Sequence, residues 1–87
     1  MHRVTKSELE KKVDYINFKI GIDTGLKGSY ILYKDYGGYE LHLIVNDGRG
    51  VRQIGYYKKT AREMYFFLDG IITGIQAREN LADAVQA

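Results

Sequence analysis

Between Ser29 and Glu63 three short strand-like runs alternate with two glycine turns, and a capped helical stretch stands on either side of this block. An α-β-β-β-α order leaves few ways to bury apolar surface. Short, closely spaced strands pair as antiparallel neighbours, and the helices then cover the sheet they flank. The expected fold is therefore α+β: a three-stranded antiparallel meander with two helices packed on one face. Eighty-seven residues make one small domain with a modest core, spanning 1–87, with 1–5 and 79–87 the segments expected to be least ordered.

The first helix is marked by two overlapping S/T-x-x-E patterns, Thr5 to Glu8 and Ser7 to Glu10, and should begin near Ser7. Leu9, Val13, Ile16 and Ile20 recur at helical spacing, opposite Glu10, Lys11, Asp14 and Asn17, and Gly21 is the expected stop. Tyr30 to Lys34 forms the first strand. A two-residue Gly37-Gly38 turn sets Asp35 against Glu40, whereas a three-residue Tyr36-Gly37-Gly38 loop pairs Lys34 with Glu40 and Tyr33 with Leu41. Charge favours the longer loop, by about 1 kcal/mol. Leu41, Leu43 and Val45 alternate with Glu40, His42 and Ile44, so Leu41 and Leu43 are expected to face the helices. Asn46 to Gly50 forms the second turn, and Val51 to Tyr57 the third strand.

Thr60-Ala61-Arg62-Glu63 is a further capping box, followed by Met64, Leu68, Ile71 and Ile75 on one stripe with Tyr65 and Ile72 beside it. Residues 78–87 either continue this helix or fray. Gly70 and Gly74 cost about 1 kcal/mol each in helix propensity, which points to a close contact with the sheet or the first helix, or else to a homodimer through that face.

Little in the chain points to catalysis. It has no cysteine and only two histidines, and no nucleophile–base motif is recognisable, so no enzyme activity, cofactor or metal is expected. Glu40 and His42 share a strand face and would need a converging third group to hold a metal or act as an acid–base pair. The N-terminus lacks the apolar core of a signal peptide, and the run from Met64 to Ile75 is too short and too polar to cross a bilayer. A cytoplasmic protein without a membrane partner is expected. The net charge is +2, but Arg49, Arg52, Lys58, Lys59 and Arg62 fall in one stretch without an acidic residue. Most tyrosines of the strands should be half-buried. Tyr36 and Tyr39, which flank the glycine turn, are harder to bury, and with the basic stretch they form the candidate binding surface for a protein or a nucleic acid.

Two resemblances attach to these residues. Gly55-Tyr56-Tyr57-Lys58-Lys59-Thr60-Ala61-Arg62 is similar to the third-strand end and second-helix start of double-stranded RNA-binding domains, where a Gly-x-x-Lys-Lys-x-Ala-Lys pattern supplies lysines to phosphates. That resemblance implies phosphate contacts at Lys58, Lys59 and Arg62. The Gly-Pro-x-His loop of that family is absent, and Tyr65 and Phe66 stand where it prefers alanines. Leu9-Glu10 to Asn17, Tyr36 to Leu41, Asp47 to Gly50 and Thr60 to Gly70 together look like small uncharacterised proteins of tailed phages and prophages. That second resemblance implies an accessory protein, resident in the cytoplasm of a bacterial host, that binds a host or phage protein, a defence nuclease being one such target. The alternative is a nucleic-acid-binding module.

Overall fold

The structure, a computed structural model, describes residues 3–48 and 50–86. Its elements follow the expected order: α1 (Lys6–Ile20), β1 (Tyr30–Asp35), β2 (Gly38–Ile44), β3 (Val51–Lys59) and α2 (Ala61–Gln86). The strands form an antiparallel meander in the order β1-β2-β3.

Of the two overlapping caps at the start of α1, the structure uses the earlier. The Thr5 hydroxyl accepts from the Glu8 amide at 3.2 Å while the Glu8 carboxylate accepts from the Thr5 amide, so the helix starts at Lys6 rather than Ser7. Val4, one residue before this cap, packs on the core that contains Leu9, the arrangement of a hydrophobic staple. At the other end the Gly21 amide donates to the carbonyls of Asn17 and Phe18 and stops the helix as expected.

Leu9, Val13 and Ile16 of α1 meet Tyr39 and Leu41 of β2 and Met64 and Leu68 of α2 in one buried cluster, so both helices lie on the same face of the sheet. The ion pairs Lys12–Asp69 and Lys19–Glu79 advance together along both helices, which therefore run in the same direction. Asn17 departs from the expected exposed face: it is buried, its amide nitrogen donating to the Tyr30 carbonyl at 3.0 Å and its oxygen accepting from the Tyr30 amide at 2.8 Å. A buried amide survives there because its donor and acceptor are both used, and it ties α1 to the first residue of β1.

The hairpin register differs from both turns considered. Tyr33 pairs with Glu40, Lys34 with Tyr39 and Asp35 with Gly38, leaving a two-residue Tyr36-Gly37 turn. Asp35 sets it by accepting from the Gly37 amide at 2.8 Å, an Asx turn that mimics a backbone turn. Gly38 adopts φ +126°, and a Cβ on it would lie 2.6 Å from the Lys59 carbonyl oxygen, so only glycine fits. Leu41 enters the core as expected. Leu43 is only half-buried, Val45 is exposed, and Ile44 is buried outside the main cluster, beside Gly28 and Ser29, whose backbone exchanges hydrogen bonds with it.

β3 runs two residues beyond the expected end and carries a large bulge. Leu41 pairs with Ile54 but Tyr39 pairs with Lys59, so Gly55 to Lys58 stand opposite the single residue Glu40. Gly55, at φ +95°, begins the bulge. The Asn46 side chain closes the turn before β3 by accepting from the Gly50 amide at 2.9 Å.

Residues 78–86 continue α2, which is one helix to Gln86. Its packing on the core ends at Ile75, and each residue from Gln76 to Val85 is exposed. A helix of this length spans about 39 Å. No described helix is long and apolar enough to cross a membrane.

Candidate functional site

The basic residues read from the sequence do not form one patch. Arg49 lies outside the described residues. Arg52 is exposed and pairs with Leu43, at the end of β2 away from the Gly38 turn; Leu43 is five steps along the strand from Gly38, roughly 17 Å. Lys58 sits at the hairpin tip and is paired with the Asp35 carboxylate. That ammonium, followed by the Gly37 amide, holds the Asp35 carboxyl below its ordinary value, and Asp35 in turn holds Lys58 above its own.

Lys59 turns the other way. Expected as a phosphate contact, it is 6% exposed, its ammonium donating to the Tyr57 carbonyl at 3.2 Å and lying 4.5 Å from the Tyr57 ring centre and 4.4 Å from that of Phe67. The bulge from Gly55 to Lys58 wraps this ammonium, with Gly55 so close that a Cβ there would fall 2.7 Å from Nζ. A carbonyl and two ring faces replace the water a buried ammonium gives up. Lys59 therefore holds the bulge in shape and faces the interior, not a ligand.

The two turn tyrosines also part company. Tyr36 is the apex of the turn and fully exposed, as expected. Tyr39 is 7% exposed and belongs to the core cluster, because it lies two residues before Leu41 on β2 and so shares its face. The Lys34 ammonium lies over the Tyr39 ring, 5.5 Å from its centre.

Tyr39 and Arg62 come together in a cavity of about 600 Å³ between the segment before α1 and the first turn of α2. Val4, Tyr39, Ala61, Tyr65 and Phe66 form its walls, and Arg3, Thr60 and Arg62 its polar edge. Phe66 is 60% exposed although it is a large apolar side chain. Its ring stands edge-on to Tyr65, and the Arg62 guanidinium lies 6.0 Å from its centre. The Thr60 hydroxyl accepts from the Glu63 amide at 3.1 Å, and the Glu63 carboxylate accepts from the Thr60 amide at 2.8 Å, so the capping box closes the helix start. Sequence reading found Arg62 and Tyr39 but not Arg3 or Phe66. The available signal was Val4 at the staple position before Thr5, which fixes the path of the preceding residue.

On the sheet face away from the helices, Glu40 lies 2.8 Å from Nε2 of His42, and the His42 ring stacks on Tyr33 with centres 5.1 Å apart. No group of three or more potential metal ligands occurs among the described residues. Gly70 and Gly74 correct another expectation: both are exposed, with nothing within 4 Å of an added Cβ, so neither packs against the sheet or α1.

No family model, curated protein or solved structure matches the chain.

Proposed function

We propose that this is a small non-enzymatic interaction protein, phage- or prophage-encoded, that binds a host or mobile-element protein in the bacterial cytoplasm, an inhibitor of a defence enzyme being the specific case. The observation that carries the reading is how the chain disposes its charge and its rings. Of the two lysines that would track phosphates, Lys59 is buried and Lys58 is paired with Asp35, whereas Tyr36 and Phe66 present large rings to solvent. Exposed aromatic rings beside arginine are the composition of protein-binding hot spots. A phosphate-tracking surface needs several cations on one face, and here Arg52 and Arg62 sit at separate places.

The experiment is affinity capture of host proteins on the immobilised full chain, followed by reconstitution of the complex from purified components. The reading expects a defined complex that persists at high salt and weakens in Phe66→Asp or Tyr36→Ala. Binding to double-stranded RNA that collapses with salt, without a protein complex, would replace it with the nucleic-acid alternative.

A further inference from the structure

The two outer edges of the sheet are not alike. β3 is bulged from Gly55 to Lys58, which disrupts its edge, whereas β1 pairs with β2 residue by residue from Tyr30 to Asp35 without a shift. The Ser29 carbonyl accepts from the Ile44 amide, while the amide and carbonyl of Tyr30 are both held by the Asn17 side chain. Antiparallel pairing alternates, so the backbones of Ile31, Tyr33 and Asp35 face β2, and those of Leu32 and Lys34 point out of the sheet as Tyr30 does. Asn17 therefore stands where a neighbouring strand would begin. Beyond it, the amides and carbonyls of Leu32 and Lys34 have no partner on that side among the described residues.

Leu32 also lines a groove of about 280 Å³ between β1 and α1, with Val13 among its walls and Lys6, Glu10 and Asp14 along its α1 side. Two carboxylates stand there against one ammonium. The Lys6 ammonium lies 3.9 Å from the Glu10 carboxylate, both exposed, and Asp14 has no partner among the described residues. Lys34 lies outside the groove, its ammonium over the Tyr39 ring. On the other face of β1, Ile31 and Tyr33 are exposed. A row of open strand amides and carbonyls is complementary to another extended backbone, whose alternate side chains are then read by the two flanks. Here one flank is apolar and the other is acidic. The carboxylates oppose a phosphate backbone, and a second copy of the chain would bring further carboxylates from its own Glu10 and Asp14.

We infer that an extended segment of the partner protein adds to the open edge of β1 as a fourth strand, hydrogen-bonded to Leu32 and Lys34. It sets a basic side chain toward Asp14 and Glu10 and apolar neighbours on Ile31 and Tyr33. Asn17 ends the pairing at Tyr30. The assignment rests on the interaction reading above and gives that partner a conformation and a charge.

The test is an NMR titration of the ¹⁵N-labelled full chain with a short peptide alternating lysine and valine. Parallel titrations use the same peptide with glutamate for lysine, the same peptide with proline for the central valine, and a short RNA duplex. The lysine–valine peptide is expected to slow hydrogen exchange at the Leu32 and Lys34 amides about tenfold, to leave the already bonded Tyr30, Ile31 and Tyr33 amides little changed, and to bind about tenfold more tightly than either altered peptide. Asp14→Asn should weaken it roughly threefold. Lys34→Pro removes an amide that points out of the sheet, so the ladder with β2 is kept while binding weakens about tenfold. If that variant disturbs β1, Asp14→Asn and the exchange rates of the wild-type chain still decide. Equal binding of the glutamate or the proline peptide, binding of the RNA at these amides, or unchanged exchange at Leu32 and Lys34 overturns the assignment. Protection of both amides in the free chain that grows with its concentration gives the edge to a second copy and also overturns it. A reconstituted host complex that is indifferent to Asp14→Asn and Lys34→Pro overturns the added strand while leaving the interaction reading intact. Peptide binding as expected, with no host protein forming a complex, sinks the interaction reading and keeps the edge as a strand-binding site.

Discussion

The Lys59 ammonium lies 4.4 Å from the centre of the Phe67 ring, inside a bulge whose backbone it also binds through the Tyr57 carbonyl. A residue that reads in sequence as half of a cationic pair thus acts as an internal strut between β3 and α2. Lys59→Ala is expected to lower stability by about 2 kcal/mol, since it removes two ring contacts, one hydrogen bond and a buried stem. Urea unfolding measures this. A change within a few tenths of a kcal/mol, like that of a surface lysine, would contradict the buried role.

The glycines separate into two kinds with opposite expected effects. Gly38→Ala drives a Cβ toward the Lys59 carbonyl and forces a positive φ on alanine, so a loss of about 2 kcal/mol or more is expected. Gly70→Ala and Gly74→Ala meet open space on a helix and should each add about 0.5 to 1 kcal/mol. Thermal unfolding distinguishes the two groups. Sedimentation of the same α2 variants also tests the homodimer: if the chain pairs through this face, the substitutions shift it toward monomer.

Asn17→Ala should be among the most damaging polar substitutions. It leaves the amide and carbonyl of Tyr30 without their partner at a buried junction, a cost of about 2 to 3 kcal/mol. Faster hydrogen exchange at the Tyr30 amide would accompany the loss. Retention of both stability and protection would show that α1 is held by its apolar stripe alone.

At the hairpin tip the pH dependence follows from one pair. The folded Asp35 carboxyl is depressed, so its contribution is complete above the unfolded value and fades as pH falls through the folded one. The folded Lys58 ammonium is raised, so its contribution is complete below the unfolded value and is lost as pH rises through the folded one. A carbon-detected titration should place Asp35 below an ordinary aspartate, and Lys58→Ala should move it upward while the Gly37 amide retains part of the depression. No movement on removing Lys58 would show that the pair does not persist in solution.

Local signals carried the fold. Thr5 to Glu8, Gly21 and Thr60 to Glu63 each mark a helix end through groups within a few residues, and Leu9, Leu41, Met64 and Leu68 declare the buried faces by spacing. What escaped depends on contacts between distant residues. The turn shortened by one residue because Asp35 bonds Gly37 and Lys58 reaches back across from β3, whereas the burial of Tyr39 follows from the face it shares with Leu41 and was open to the same alternation. Lys59 was legible only in part: it stands immediately before the Thr60 cap, where a side chain turns inward, but the bulge that receives it needs Gly55 and Phe67 together. Gly70 and Gly74 suggested a tight contact by cost alone, and the structure supplies none within the chain. The cavity was half visible, because Arg3 and Phe66 join Tyr39 and Arg62 only once both helices dock.

The most direct test of the interaction reading compares one purified complex with one nucleic acid on the same immobilised protein. The wild-type chain and the Phe66→Asp variant are each exposed to the reconstituted host partner and to double-stranded RNA, at physiological and at high salt. The expected result is a host complex that survives high salt and is lost in Phe66→Asp, with no RNA retained at physiological salt. RNA retention that falls steeply with salt and is unaffected by Phe66→Asp, together with no stable protein complex, would contradict it.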